Sequence, residues 1–123
     1  MLYAILCYHD EAVTGAWSKD EDDAVMARLA VVHARLAAQG RLGPVARLLP
    51  TTAATTLRKD DPPIVLDGPF AETKEQLLGF YMVDCATLEE AIEAARGFMN
   101  ETGALEIRPV RFFDHGGDIK QGG

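Results

Sequence analysis

Two stretches with the pattern hydroxyl-x-x-glutamate, Ser18-Lys19-Asp20-Glu21 and Thr87-Leu88-Glu89-Glu90, constrain this chain more than any other feature. In such a stretch the hydroxyl accepts the backbone N–H three residues on. The glutamate reaches back to the first residue's own N–H, and a helix starts there. Asp20, Glu21, Asp22 and Asp23 crowd the first turn after Ser18, where the helix dipole favours negative charge. Val25, Leu29, Val32 and Leu36 then follow at helical spacing, and Gly40 stands where a left-handed residue ends a helix. Behind Thr87 a second stripe runs through Leu88, Ala91, Ile92, Ala95 and Met99.

Each helix lies between strand-like runs. Residues 2–8 are apolar and aromatic, and residues 10–17 form a loop around Gly15. A strand over 41–49 ends at Pro50, and a last strand covers 104–113. Residues 54–58 and 64–67 read as a hairpin around the polar turn 59–63, and Asp67-Gly68-Pro69-Phe70 turns the chain again. The expected order is β-α-β-hairpin-β-α-β. That is an α+β chain with the ferredoxin-like βαββαβ arrangement, an extra β-hairpin, and an antiparallel sheet with two helices on one face. One domain spans 1–113, followed by a flexible glycine-rich tail over 114–123. In the strand over 77–85 both alternating sets are apolar: Leu77, Tyr81 and Val83 on one face, Leu78, Phe80 and Met82 on the other. Two helices cover one face only, so the second face calls for a second subunit and a homodimer.

Composition narrows the function classes. The formal net charge is −7, and the 12 basic residues are scattered, so the chain lacks the basic stripe that nucleic acid requires. No apolar run approaches the ~20 residues of a membrane span, and the start of the chain has no basic n-region. Cys7 and Cys85 sit in apolar segments as free thiols suited to a reducing compartment, so a cytoplasmic protein is expected. There is no glycine-rich phosphate loop, no Gly-x-Ser-x-Gly and no Cys-x-x-Cys. The three histidines lie far apart, so neither a cofactor nor a metal is expected.

The run from Asp67-Gly68-Pro69-Phe70 through Glu72, Lys74, Glu75 and Gln76 to Gly79-Phe80-Tyr81 resembles the signature of the DGPF subgroup of YCII-related proteins. Tyr8-His9-Asp10-Glu11, Thr55-Thr56-Leu57-Arg58 and Glu106-Ile107-Arg108-Pro109-Val110 fit the same family, so the resemblance covers about residues 1–113. It implies a dimeric α/β barrel in which two sheets pack face to face. It implies little about activity. Some members resemble muconolactone-isomerase-like barrels, and others occur beside or fused to extracytoplasmic-function sigma factors. In the YCII branch a helix histidine paired with an aspartate has been proposed as a catalytic dyad. Counted back from Gly40, that position is Leu29 here, and His33 lies one turn later, so the dyad does not carry over.

The charged motif is the expected site. Asp67 and Glu72 are candidate acid/base groups, since neighbouring carboxylates shift one another's proton affinity. Lys74, Glu75, Arg108 and His9 are candidate ligand contacts, with Arg108 suited to an anion. The structural alternatives are that Asp67 caps the turn, that Lys74 pairs with a glutamate, and that Arg108 pairs with Asp67 or Glu72. His33, on the shoulder of the helix stripe, is either a base or a hydrogen-bonded structural histidine. The expected function is binding of a small molecule, anions included, with acid/base isomerase- or lyase-type activity. The alternative is a non-catalytic dimeric module that contacts a protein partner such as a sigma factor or its regulator.

Overall fold

Both helix starts form as the sequence dictates. In a computed structural model, which describes residues 1–100, 102–117 and 119, Glu21 N donates to Ser18 Oγ at 3.1 Å and Ser18 N donates to Glu21 Oε1 at 3.3 Å. At the second start Glu90 N donates to Thr87 Oγ1 at 3.2 Å, but the Glu90 carboxylate accepts from Ala86 N at 2.9 Å, one residue earlier than a reciprocal cap. The elements are β1 (Leu2–Asp10), α1 (Glu11–Thr14), α2 (Lys19–Ala38), β2 (Leu42–Arg47), β3 (Thr55–Arg58), β4 (Ile64–Asp67), β5 (Glu75–Asp84), α3 (Leu88–Phe98) and β6 (Ala104–Pro109). A single 3₁₀ turn at Thr51–Ala53 precedes β3. After α2, Gly40 N reaches Ala37 O and Arg41 N reaches Leu36 O, both at 2.9 Å. That pair of bonds closes the helix through a left-handed Gly40.

The main sheet has the order β2-β5-β1-β6, every neighbouring pair antiparallel. β1 and β2 are thus parallel with β5 between them, and β5 and β6 are parallel with β1 between them. This is the split βαβ order expected of a ferredoxin-like chain. β3 and β4 pair only with each other, Leu57 opposite Val65, as an arm apart from the main sheet. Tyr3, Ile5, Tyr81 and Val83 are buried on one face of the sheet against Leu29, Val32 and Leu36 of α2 and Ala91, Ala95 and Phe98 of α3. Ala4, Leu6, Phe80 and Met82, the alternate residues, lie half-buried on the other face.

Several expectations shift. The loop over 10–17 contains a turn of helix, because Asp10 Oδ1 accepts from Ala12 N at 2.9 Å and caps it. Leu77 does not share a face with Tyr81 and Val83. A register shift opposite Cys7 and Tyr8 inserts one extra β5 residue, which puts Leu77 out of phase and leaves it exposed. In α3 the buried terminal residue is Phe98, and Met99 is exposed beyond the last turn. β2 ends at Arg47 and β6 at Pro109, which has no N–H to continue a ladder. Residues 114–117 and 119 form neither helix nor strand, and the rest of the expected tail lies outside the described residues.

Ile5 sits at the centre of the layer, fully buried and flanked in register by Tyr81 and Ile107. Truncating such a side chain removes its transfer free energy and leaves a cavity. Ile5→Ala is expected to cost about 2–5 kcal/mol, read as a lower urea midpoint with an unchanged slope.

Candidate functional site

The helix–sheet layer does not close along its whole length. Leu29, Val32 and Leu36 in the later turns of α2 are buried, but Val25 is only half-buried and Met26 is 39% exposed. On the sheet below, β5 carries Gly79, with no side chain, and β1 carries the small Cys7. The space left between them is a cavity of about 550 Å³, bounded also by the end of α3 and by the segment 45–50. This lies within the roughly 300–1,000 Å³ of small-molecule sites.

The inner wall is aromatic. Tyr81 and Phe98 stack with ring centroids 3.8 Å apart and planes 5° from parallel. The His33 ring leans against both, at 5.2 Å from Tyr81 and 5.7 Å from Phe98. His33 is half-buried as a residue, but its Nε2 is enclosed and has no hydrogen-bond partner among the described residues. Burial lowers its pKa below 6.5. Burial also pushes the Cys7 thiol up to about 11 and, as the largest of several causes, the Tyr81 phenol up to about 12. All three groups are held in their uncharged forms, because a low-polarity surrounding penalises the ion. This wall suits apolar binding and proton acceptance by a neutral imidazole. It does not provide a thiolate nucleophile.

The mouth is polar and already paired. Arg47 Nη2 lies 2.7 Å from Asp22 Oδ1, and that hydrogen bond is the main reason the Asp22 carboxyl titrates lower than usual. Glu11 accepts from Thr51 N at 2.9 Å and from Thr51 Oγ1 at 2.5 Å, tying α1 to the turn before the arm. Buried His9 has Nε2 2.8 Å from Thr102 Oγ1 and its ring edge-on to Trp17, 5.9 Å away. Gly103 makes this fit possible. It adopts φ 101°, and a Cβ there would come within 2.7 Å of Tyr8 O and 2.9 Å of the His9 ring. Arg28 fixes the α3 end of the cavity by donating to Gly97 O at 3.1 Å and Asn100 Oδ1 at 2.7 Å.

Of the residues singled out from the sequence, His9 lines this cavity and His33 forms its inner wall. Asp67, Glu72, Lys74 and Glu75 do not reach it. Asp67 ends β4, Glu72 and Lys74 lie on the following loop, and Glu75 opens β5, all four exposed. Gln76 Nε2 holds that loop by donating to Ala71 O at 2.9 Å and Thr73 O at 3.0 Å. Gly68 turns it with φ 107°, and Thr56 Oγ1 donates to Gly68 O at 2.8 Å. None of the four forms an ion pair among the described residues. The partner of Arg108 is not Asp67 or Glu72 but Glu106, 2.8 Å away on the same face of β6, and this hydrogen bond raises the Arg108 pKa. Tyr81 and Cys7 read as core in the sequence, and Phe98 and Trp17 carried no signal there. His9 and His33 are the lining residues that the sequence marked, His33 as a polar residue on the edge of an apolar stripe. Among the described residues no three His, Cys, Asp or Glu side chains gather as metal ligands, and no helix is long and apolar enough to cross a membrane.

These features define an α+β protein whose helix-covered antiparallel sheet encloses a ligand-sized cavity. The chain matches the sequence model of the YCII-related domain over residues 1–114. It is 58% identical over 120 residues to an uncharacterised protein of Rhizobium meliloti (strain 1021), covering 94% of this chain and 97% of the relative. The chain belongs to the YCII-related family.

The lowered His33 pKa has a measurable consequence. As pH falls below 6.5 the unfolded chain takes up this proton before the folded protein does, so stability drops. The loss is complete once pH is below the folded value. His33→Phe is expected to flatten this part of the curve of urea midpoint against pH. Equal slopes in both proteins would show that the ring is not held neutral.

Proposed function

We propose that this protein binds a small organic molecule in the helix–sheet cavity, with His33 Nε2 meeting the ligand's polar atom, and that it does so as a homodimer. The carrying observation is a cavity of about 550 Å³ whose lining includes His33, an imidazole whose enclosed Nε2 has no partner among the described residues, since buried polar atoms are nearly always hydrogen-bonded. A neutral imidazole with a lowered pKa is also a general base, which supports acid/base chemistry of the isomerase or lyase kind. The Asp67-Gly68-Pro69-Phe70 turn supports membership of the DGPF subgroup. The half-buried apolar face formed by Ala4, Leu6, Phe80 and Met82 supports a dimer in which two sheets face each other.

A second assignment of the same activity uses Asp67 and Glu72 as acid/base groups with Lys74, Glu75 and Arg108 as ligand contacts. It requires a partner subunit to bring the arm over a ligand. The other reading, a non-catalytic module for a sigma-factor-linked protein, has its own observation: Leu57, Val65 and Phe70 on the arm are 69%, 67% and 79% exposed.

Native mass spectrometry of gently purified protein separates these. The expected result is a dimer carrying a discrete small-molecule mass, kept in Asp67→Ala and lost in His33→Phe. The reverse pattern would move the site to the arm. A bare dimer that captures a sigma factor or its regulator would favour the module. Phe80→Glu is expected to give a folded monomer, with helical circular dichroism unchanged and the dimer mass absent.

A further inference from the structure

The cavity's chemistry narrows its occupant, provided the cavity is the binding site proposed above. Its lining is apolar where it is deep, and apolar residues also stand at the edge beside the paired polar groups of the mouth. Met26, Val45, Leu48 and Met99 all line it, yet each is 39–45% exposed. Exposed apolar residues gathered around a concave site mark the place where an apolar surface is meant to be buried. Tyr81, Phe98 and the His33 ring pack on one another along the lining, an aromatic wall against which another flat ring can pack.

Charge points the same way. Arg47 is the single Lys or Arg on the lining, it stands at the mouth, and Asp22 already holds it at 2.7 Å. Glu11 is engaged by Thr51. An anion drawn into this space would leave water with no free Lys or Arg among the described lining residues to receive it, which is costly. On the deep wall, His33 Nε2 has no hydrogen-bond partner among the described residues.

We propose that the cavity takes an uncharged, planar, largely apolar molecule of one or two rings, bearing one group that hydrogen-bonds to His33 Nε2. Anionic molecules are disfavoured, because among the described residues the one guanidinium on the lining is already held by Asp22. The hydroxyl or amide N–H of such a ring donates to the imidazole nitrogen, while the ring lies along the Tyr81–Phe98 wall.

The test uses the intact protein and three probes of one size: 2-naphthol, 2-naphthoate and naphthalene. The chain has a single tryptophan, Trp17, on the lining, so its indole N–H gives one NMR resonance to follow in titrations. The expected order is 2-naphthol tightest and 2-naphthoate weaker by about tenfold or more. Naphthalene is expected about three- to tenfold weaker than the naphthol, the worth of one hydrogen bond. His33→Phe should erase the difference between naphthol and naphthalene. Equal or tighter binding of 2-naphthoate by the unmodified protein overturns the inference while leaving the cavity reading intact, and needs no variant to be folded. A naphthol preference that survives His33→Phe overturns the hydrogen-bond assignment. If no probe moves the Trp17 resonance, the cavity reading itself fails.

Discussion

The stacked pair of Tyr81 and Phe98, 3.8 Å between centroids, joins the sheet to the end of α3. Tyr81 sits in register between Ile5 of β1 and Val45 of β2, and Phe98 is the last residue of α3. Their contact sets how far α3 extends along the sheet. Arg28, midway along α2, bonds the Gly97 carbonyl and the Asn100 side chain on either side of Phe98, so α2 holds the end of α3 at this wall. His33 leans on both rings. Remove either ring and the wall, the helix end and the histidine lose their common support. In place they leave a space on one side of the stack and a dense core on the other.

Much of the framework was legible from local chemistry. The Ser18–Glu21 cap, the Leu29–Val32–Leu36 stripe and the left-handed Gly40 are short-range devices, and each appears where its residues stand. The elements that went astray depend on distant partners. Leu77 changes face because of a register shift against Cys7 and Tyr8, 69 residues or more earlier in the chain. Phe98 replaces Met99 in the core because the ring stacks on Tyr81, a choice that helical spacing alone does not make. The cavity was the least legible feature. It depends on small residues in β1 and β5 lying beneath the early turns of α2, and no periodicity records that coincidence. The charged motif drew attention because its residues are close in sequence. The cavity draws its residues from β1, α2, β5 and α3, so its chemistry is spread along the whole chain.

Surface charge plays a different part from the one its density suggests. Of the acids in the first turn of α2, Asp22 reaches across to Arg47, while Lys19 pairs with Asp23 on the same helix. Exposed pairs of this kind are worth a few tenths to about 1 kcal/mol, too little to decide the fold. Their value lies in position. Asp22–Arg47 and Glu11–Thr51 both bridge elements that border the cavity mouth, and Asp22 occupies Arg47, the single Lys or Arg among the described lining residues. The same bonds that hold the rim together therefore also set what the interior will accept.

The doubly apolar β5 combines two separate demands. Its Gly79, Tyr81 and Val83 set is buried beneath the helices, with Gly79 and Tyr81 on the cavity lining and Val83 deep in the core. Its Phe80 and Met82 set stands half-buried on the face turned away from the two helices. Polar residues on that second face would serve a monomer equally well, since an antiparallel sheet tolerates water on one side. Apolar residues there only help if another surface removes them from water. The arm poses the same problem in smaller form. A two-stranded hairpin is marginal alone, and the outward pair Leu57 and Val65 gains nothing from solvent. A second copy placed against the sheet face answers the first demand by symmetry, because a two-fold contact sets the same patch against itself. The arm's apolar pair lies outside the main sheet, so its burial asks for a contact separate from that two-fold one.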